Sequence, residues 1–164
     1  MRSIGDAARG EMRVYFAGGA TAVLEGWRDS TLDVDLKMVP DRDEVFRAIP
    51  RLKDQLLLNV ELASPADFIP VRDGWEDRSP FIAREGRVGF HHFELCAQAL
   101  SKIERGHTRD LEDAAAMVAR NLVTTSQLAE YFGAIEPSLY RYPAVDSVAF
   151  RRKLDRFLKE HRAA

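Results

Sequence analysis

A glycine pair between two apolar segments constrains the fold of this chain more than any other feature of its sequence. The apolar run Val14-Tyr15-Phe16-Ala17 ends at Gly18-Gly19, which predicts a buried strand followed by a tight turn. Residues 21–27 supply a helical stretch, and Gly26 marks its end. Residues 31–38 then alternate between apolar and polar side chains, which predicts a half-buried strand. This order favours a sheet that is flanked by helices.

The rest of the pattern divides the chain into two halves. In the first half we expect a helix over 41–54, weakened by Pro50 at mid-length, then a strand over 56–62, a loop-rich stretch to about Glu85 and a strand over 87–91. The second half reads as four helices, over 93–105, 108–121, 126–132 and 146–161, with Thr108 and Asp146 as N-caps. The sequence therefore predicts an α/β core over residues 1–86 and a helical C-terminal subdomain over residues 87–164 that packs on the core.

Composition excludes several classes of protein. With a net charge of −2 the chain has no global positive field, so any contact with nucleic acid must be local. Cys96 is the only cysteine, which rules out a disulfide framework and suits a reducing cytoplasm. No apolar run approaches the roughly 18 residues of a membrane span, and Met1 to Gly10 lack the apolar segment of a signal peptide. We therefore expect a cytoplasmic protein without membrane contact.

Two aspartates on the alternating strand are the main candidates for chemistry. Asp33 and Asp35 are two residues apart, so their side chains share one face of the strand, with Cα atoms ~6.6 Å apart. Carboxylates at that spacing suit Mg²⁺, which prefers carboxylate and phosphate oxygens. Glu61 repeats the apolar-acid-apolar pattern on a neighbouring strand and is the candidate third acid, with Asp67 as the alternative. A solvated strand face would explain the same pattern without function.

The glycine pair is the second candidate feature. Gly18 and Gly19 would let the backbone approach phosphate closely, and the hydroxyl of Thr21 and the guanidinium of Arg28 would add contacts. A tight turn between a strand and a helix needs the same glycines without any ligand. The adjacent histidines His91 and His92 point apart and make a poor chelate.

These motifs together carry a resemblance to a known family. The quoted segments are Gly18-Gly19-Ala20-Thr21, Arg28-x-Ser30-x-x-Asp33-x-Asp35, Ala99-Leu100-x-Lys102-Ile103-x-Arg105 and Arg109-Asp110-Leu111-x-Asp113. In this order they resemble the nucleotidyltransferase superfamily with the polymerase-beta-like core, and within it the AbiEii-like and minimal nucleotidyltransferases of bacterial toxin–antitoxin systems. The match covers roughly residues 13–120. Gly19 stands where many members of the family have a serine.

The resemblance implies an α+β nucleotidyltransferase fold, in which a mixed β-sheet is flanked by helices. It implies that Asp33, Asp35 and Glu61 hold Mg²⁺ or Mn²⁺ and that Lys102 faces the triphosphate. Asp110 would orient Lys102 or touch the nucleotide. The expected nucleotide-binding residues are Gly18, Gly19, Thr21, Arg28, Ser30, Thr31 and Lys102.

The expected activity is transfer of a nucleoside monophosphate from an NTP to an acceptor hydroxyl. The acceptor is an RNA similar to tRNA or a protein side chain, DNA is not expected, and a cognate antitoxin or toxin is an expected partner. Two alternatives stay open at this point: a catalytically inactive module that binds a nucleotide or a partner on the same fold, and a structural protein in which the acids lie on different faces.

Overall fold

The computed structural model describes residues 1–161 and shows a mixed α+β fold, as the sequence predicts. The five strands are β1 (Met12–Ala17), β2 (Asp33–Val39), β3 (Asn59–Glu61), β4 (Phe81–Glu85) and β5 (Val88–His92). The helices of the described residues are α1 (Arg2–Ala7), α2 (Gly19–Leu24), α3 (Asp43–Leu56), α4 (Leu95–Arg105), α5 (Thr108–Ala119), α6 (Thr125–Ile135) and α7 (Ser147–Glu160). Two short 3-10 helices cover Pro65–Asp67 and Glu136–Arg141. None of the helices within residues 1–161 combines the length and the apolar character needed to cross a bilayer.

The strands form one sheet in the order β3-β2-β1-β5-β4. The central strand β1 pairs with β2 in antiparallel and with β5 in parallel orientation. Strand β2 pairs with β3 in parallel, and β4 with β5 in antiparallel orientation. The sheet is therefore mixed, and its order places the short strand β3 at an edge beside the acidic strand β2.

One face of the sheet is apolar and carries the core of the first unit. Val14 and Phe16 of β1 and Leu36 and Met38 of β2 lie in one buried cluster with side chains of α1, α2 and α3. Phe90 of β5 stacks on Phe16 in the same cluster, with ring centroids 5.7 Å apart. Residues one position along these strands point to the opposite face. This period places the acids of β2 away from the core.

The chain forms two compact units, which are not contiguous in sequence. The first consists of Met1–Ser64 and Asp77–Phe93, and holds the sheet and helices α1 to α3. The second consists of Pro65–Glu76 and the described residues from Glu94 onwards. It is helical, with α4 packed against α5, α6 and α7 and an edge-to-face contact between Phe132 and Phe150 at 4.9 Å. The predicted boundary near residue 86 thus falls in the last hairpin of the sheet.

Several elements differ from the sequence expectation. Helix α3 continues through Pro50 to Leu56, because Ile49 and Leu52 on either side of the proline are buried in the core. Leu57 then adopts a left-handed conformation, φ 52°, and strand β3 is shorter than expected. Strand β4 lies in the stretch expected to be a loop. It forms a hairpin with β5, and the turn of this hairpin uses Gly86 at φ +57°.

Of the two predicted helix caps, one is wrong and one is confirmed. Thr108 is the first residue of α5 rather than its N-cap, and the N-cap His107 makes no side-chain cap. The predicted cap Asp146 is confirmed, since its carboxylate accepts from the amide of Ala149 at 2.9 Å.

Candidate active site

Pairing between β2 and β3 brings the predicted acids onto one face of the sheet. Asp35 lies opposite Glu61 in the parallel register, and Asp33 lies opposite Asn59. The pair between them, Val34 and Val60, packs on the core side. Since side chains alternate along each strand, Asp33, Asp35 and Glu61 project from the other face. The arrangement excludes the alternative in which the three acids lie on different faces.

The amide of Asn59 joins two of these carboxylates. Its Nδ2 donates to Oδ1 of Asp33 at 3.0 Å and to Oε1 of Glu61 at 2.8 Å. Both bonds leave the same nitrogen, so the carboxylate oxygens of Asp33 and Glu61 converge on one point. Sequence reasoning missed Asn59, although it occupies the position two residues before Glu61.

The glycine pair lies directly against the acidic strand. Gly18 has φ +61° and ψ −130°, a conformation that favours glycine, and a Cβ at this residue would lie 2.5 Å from Oδ2 of Asp35. A Cβ at Gly19 would overlap Oγ1 of Thr31. The two glycines therefore do more than form a turn, because each leaves the space that a polar atom of the acidic segment occupies.

The predicted nucleotide-binding residues that follow α2 are placed at different depths. Thr31 is half-buried; its hydroxyl donates to the carbonyl of Asp33 at 2.9 Å and accepts from the amide of Asp33 at 3.3 Å, which fixes the start of β2. Ser30 is exposed, and Arg28 is half-buried with its backbone amide donating to the carbonyl of Ala22. The structure brings Gly18, Gly19 and Thr31 to the acids, and phosphate contacts by Arg28 and Ser30 stay predictions.

Thr21 has a role that the sequence did not predict. The residue is 1% exposed, and its Oγ1 lies 3.2 Å from the carbonyl oxygen of Phe16 and 3.1 Å from Nδ1 of His92. The other ring nitrogen of His92 contacts Oε1 of Glu25 at 2.9 Å. His92 therefore links the start and the end of α2 to β5, whereas His91 lies on the opposite face, as expected for adjacent residues of a strand. Phosphate binding by Thr21 stays a prediction.

Burial controls the charge of His92. Removal of the imidazole from water lowers its pKa, and the neighbouring carboxylate of Glu25 opposes this shift without cancelling it. The hydroxyl of Thr21 donates its proton to the carbonyl of Phe16 while its oxygen contacts Nδ1 of His92, and Nε2 of His92 contacts the carboxylate of Glu25. The ring thus ties α2, and with it the glycine turn, to strand β5.

The second unit contains a buried cluster of charges that includes both of its predicted site residues. Nζ of Lys102 lies 3.3 Å from Oδ1 of Asp110 and 2.6 Å from Oδ2 of Asp113. Lys102 is 5% exposed, and Asp113 is 2% exposed. Arg105 donates to the same Oδ1 of Asp110 at 2.6 Å. The sequence motif includes Asp113, to which sequence reasoning assigned no role. Its spacing of three residues from Asp110 places both on one side of α5.

Comparison with known proteins identifies the family. Residues 4–160 match the family described as nucleotidyltransferase of unknown function (DUF6036). The chain belongs to this family. No curated protein and no solved structure matches the chain. Membership in a nucleotidyltransferase family agrees with the superfamily that the glycine and aspartate motifs indicate.

In a nucleotidyltransferase of this fold, the acids of β2 and β3 are the residues that fit a divalent metal. Within residues 1–161 no three His, Cys, Asp or Glu side chains already surround a common point as ligands. Mg²⁺ binds through one or two carboxylates, water and substrate phosphates rather than a complete protein cage. The convergence of Asp33 and Glu61 on the Asn59 amide, with Asp35 on the same face, fits such a partial site. Asp67, the alternative third acid, ends a 3-10 helix of the second unit.

Proposed function

We propose that this nucleotidyltransferase transfers a nucleoside monophosphate from an NTP to a hydroxyl acceptor in a Mg²⁺-dependent reaction. The observation that carries the proposal is the contact between Gly18 and the carboxylate of Asp35, on the face that also holds Asp33 and Glu61. A backbone without a Cβ beside clustered carboxylates provides both a close approach for a polyphosphate and ligands for its counterion.

Each residue of the proposed site has a defined task. Asp33, Asp35 and Glu61 would hold Mg²⁺ or Mn²⁺, which neutralises phosphate charge when bound. The absence of a Cβ at Gly18 and Gly19 lets Asp35 and Thr31 lie against the turn, which places the turn's backbone beside the carboxylates. Thr31 keeps the start of β2 fixed, so that the carboxylates of Asp33 and Asp35 do not have to be ordered when substrate binds. In the transfer, the acceptor oxygen bonds to the α-phosphorus while the bond to the bridging oxygen breaks, and pyrophosphate leaves.

The acceptor and the biological setting belong to the proposal as well. An RNA similar to tRNA and a protein side chain are both possible acceptors. The resemblance of the Lys102–Asp113 segment to AbiEii-like proteins supports a component of a toxin–antitoxin system, acting in the cytoplasm. Triphosphate contact by Lys102 and orientation of that lysine by Asp110 stay predictions, and the Lys102–Asp110 contact at 3.3 Å supports the second of them.

A second candidate function is a module that binds a nucleotide or a partner without transfer. Two observations favour it. The amide of Asn59 already occupies hydrogen-bonding positions on Asp33 and Glu61. Gly19 stands where many related enzymes have a serine, so one hydroxyl contact to phosphate is missing. Such a module would bind NTP and Mg²⁺ without consuming them.

One labelling experiment distinguishes the two functions. The protein is incubated with each α-³²P-labelled NTP, Mg²⁺ and total RNA or total protein, and covalent label in the acceptor is measured. The enzyme predicts transfer that Asp35→Ala abolishes and Asp41→Ala retains, because Asp41 is an exposed acid beyond the end of β2. Label bound reversibly but never transferred supports the binding module. Absence of both binding and transfer with all four NTPs contradicts the enzyme and the nucleotide-binding module, and leaves only a module that binds a partner.

A further inference from the structure

The helix-covered face of the sheet contains an apolar pocket of about 370 Å³ within the first unit. Its floor is formed by sheet residues that include Phe16, Leu36 and Val60, all less than 8% exposed. Helices α1, α2 and α3 supply its walls. Well-packed interiors contain few voids larger than a water molecule, and this volume lies in the range of small-molecule sites.

Polar and apolar groups are separated along the depth of this pocket. Among the described residues that line it there is no charged side chain, and its polar side chains are the hydroxyls of Ser3, Ser30 and Thr31. Ser3 and Ser30 are exposed and therefore lie at the mouth, whereas the floor is apolar. The mouth also carries two large apolar side chains, Leu24 at 44% and Leu56 at 51% exposure.

The floor of this pocket lies on the opposite face of β2 from the carboxylates of the proposed active site, although Ser30 and Thr31, two of the predicted nucleotide-binding residues, belong to its lining. Val34 and Leu36 of β2 line it, whereas Asp33 and Asp35 project from the opposite face of the same strand. The one charged group among the described lining residues is the α-amino group of Met1, and Met1 is 41% exposed. A single ammonium group repels a metal ion and does not match the charge of a triphosphate. The ligand that fits has an uncharged hydrocarbon body for the floor and a polar head for the hydroxyls at the mouth.

We infer that this pocket binds the hydrocarbon chain of a single-chain amphiphile whose head group is hydroxyl-like and uncharged. The chain lies over Phe16, Leu36 and Val60, and the head lies near Ser3 and Ser30 at the surface. Binding removes the exposed side chain of Leu24 from water together with the ligand, which is the source of the affinity. The apolar floor of this site takes no part in the proposed nucleotide transfer.

A series of primary alcohols tests the inference by isothermal titration calorimetry. The head group is constant from 1-butanol through 1-hexanol to 1-octanol, so affinity reports burial of the chain. Each additional methylene should strengthen binding by up to about fourfold until the pocket is full. An affinity that does not change with chain length overturns the inference.

Two exposed leucines provide a matched pair of variants. Leu24→Asp places a charge at the mouth and should weaken 1-octanol binding at least tenfold. Leu62→Asp is the control, because Leu62 is 48% exposed and does not line the pocket. Leu24→Gln serves the same purpose without a charge if Leu24→Asp fails to fold. Equal 1-octanol affinity in the Leu24 variants and in Leu62→Asp overturns the inference, and so does absence of 1-octanol binding to the wild-type protein.

Discussion

Substitution of Gly18 by alanine tests whether the glycine turn and the acidic strand form one site. The added Cβ would lie 2.5 Å from Oδ2 of Asp35, whereas ordinary contacts of a Cβ begin at 3.4 Å. The carboxylate of Asp35, at the flexible end of its side chain, must therefore move by about 1 Å, a displacement that typically costs about 100-fold in rate at a reacting centre. The backbone cost is about 1–3 kcal/mol, because alanine is strained at the φ and ψ of Gly18.

Substitution of Gly26 is the control that adds backbone strain without displacing the carboxylate of Asp35. Gly26 has φ +80°, and a Cβ there would meet no atom within 4 Å. Gly26→Ala should therefore cost about 1–2 kcal/mol in the free energy of unfolding and leave the site unchanged. Gly18→Ala should cost a similar amount but also abolish the stabilisation that Mg²⁺ and NTP give in a thermal-shift assay. At about 2 kcal/mol of strain, each variant should lose roughly 4–8 °C in melting temperature.

A double-mutant cycle then assigns the displacement to Asp35. In an Asp35→Ala background the Oδ2 atom is missing, so Gly18→Ala should retain its backbone strain and lose its steric cost, giving a smaller total than the sum of the two single changes. Two results would refute the reasoning: additive free energies in the cycle, or Mg²⁺–NTP binding by Gly18→Ala that equals binding by Gly26→Ala.

Two further predictions concern buried charge. The pKa of His92 is lowered by burial, so the unfolded chain binds more protons than the folded chain below about pH 6.5. The free energy of unfolding should therefore fall as the pH decreases from 6.5 toward the lowered pKa. Urea unfolding at pH 7.5 and 5.5 should show a smaller loss of this free energy in His92→Gln than in the wild type, and equal losses would contradict the prediction. Lys102→Met should lower the free energy of unfolding by about 3–5 kcal/mol, because the buried carboxylate of Asp113 loses its cation. Adding Asp113→Asn to Lys102→Met should restore part of this loss. A shift of the urea midpoint equivalent to less than about 1 kcal/mol would contradict the prediction.

The parts of the fold that follow from local patterns were predictable. Alternation over residues 31–38 predicted that Asp33 and Asp35 share a face, and that face is confirmed by the pairing of β2 with β3. The segment ended by the glycine pair is a strand, β1. Helix α3 was less predictable, because Pro50 argues against a helix locally while burial of Ile49 and Leu52 decides in its favour.

The parts of the site that depend on pairing between distant segments were not predictable. The position of Asn59 between Asp33 and Glu61 depends on the register of two strands that are 26 residues apart. The inward orientation of Thr21 depends on His92, which lies 71 residues away. A sequence pattern predicts which face of a strand a residue lies on, but not which residue lies beside it on a neighbouring strand. The contacts of Asn59 and of Thr21 could therefore be identified only from the structure.

The composition of the carboxylate cluster supports the proposed cation site. Aspartate is disfavoured in strands, and like charges opposite one another on paired strands destabilise a sheet. Here Asp35 and Glu61 stand opposite each other, and Asp33 and Glu61 share a neutral amide donor. A lysine at residue 59 would neutralise this charge, whereas Asn59 positions the carboxylates and leaves their charge in place. An arrangement that keeps like charges at a fixed point would be stabilised by a cation there, which supports the proposed Mg²⁺ site beside the glycine turn.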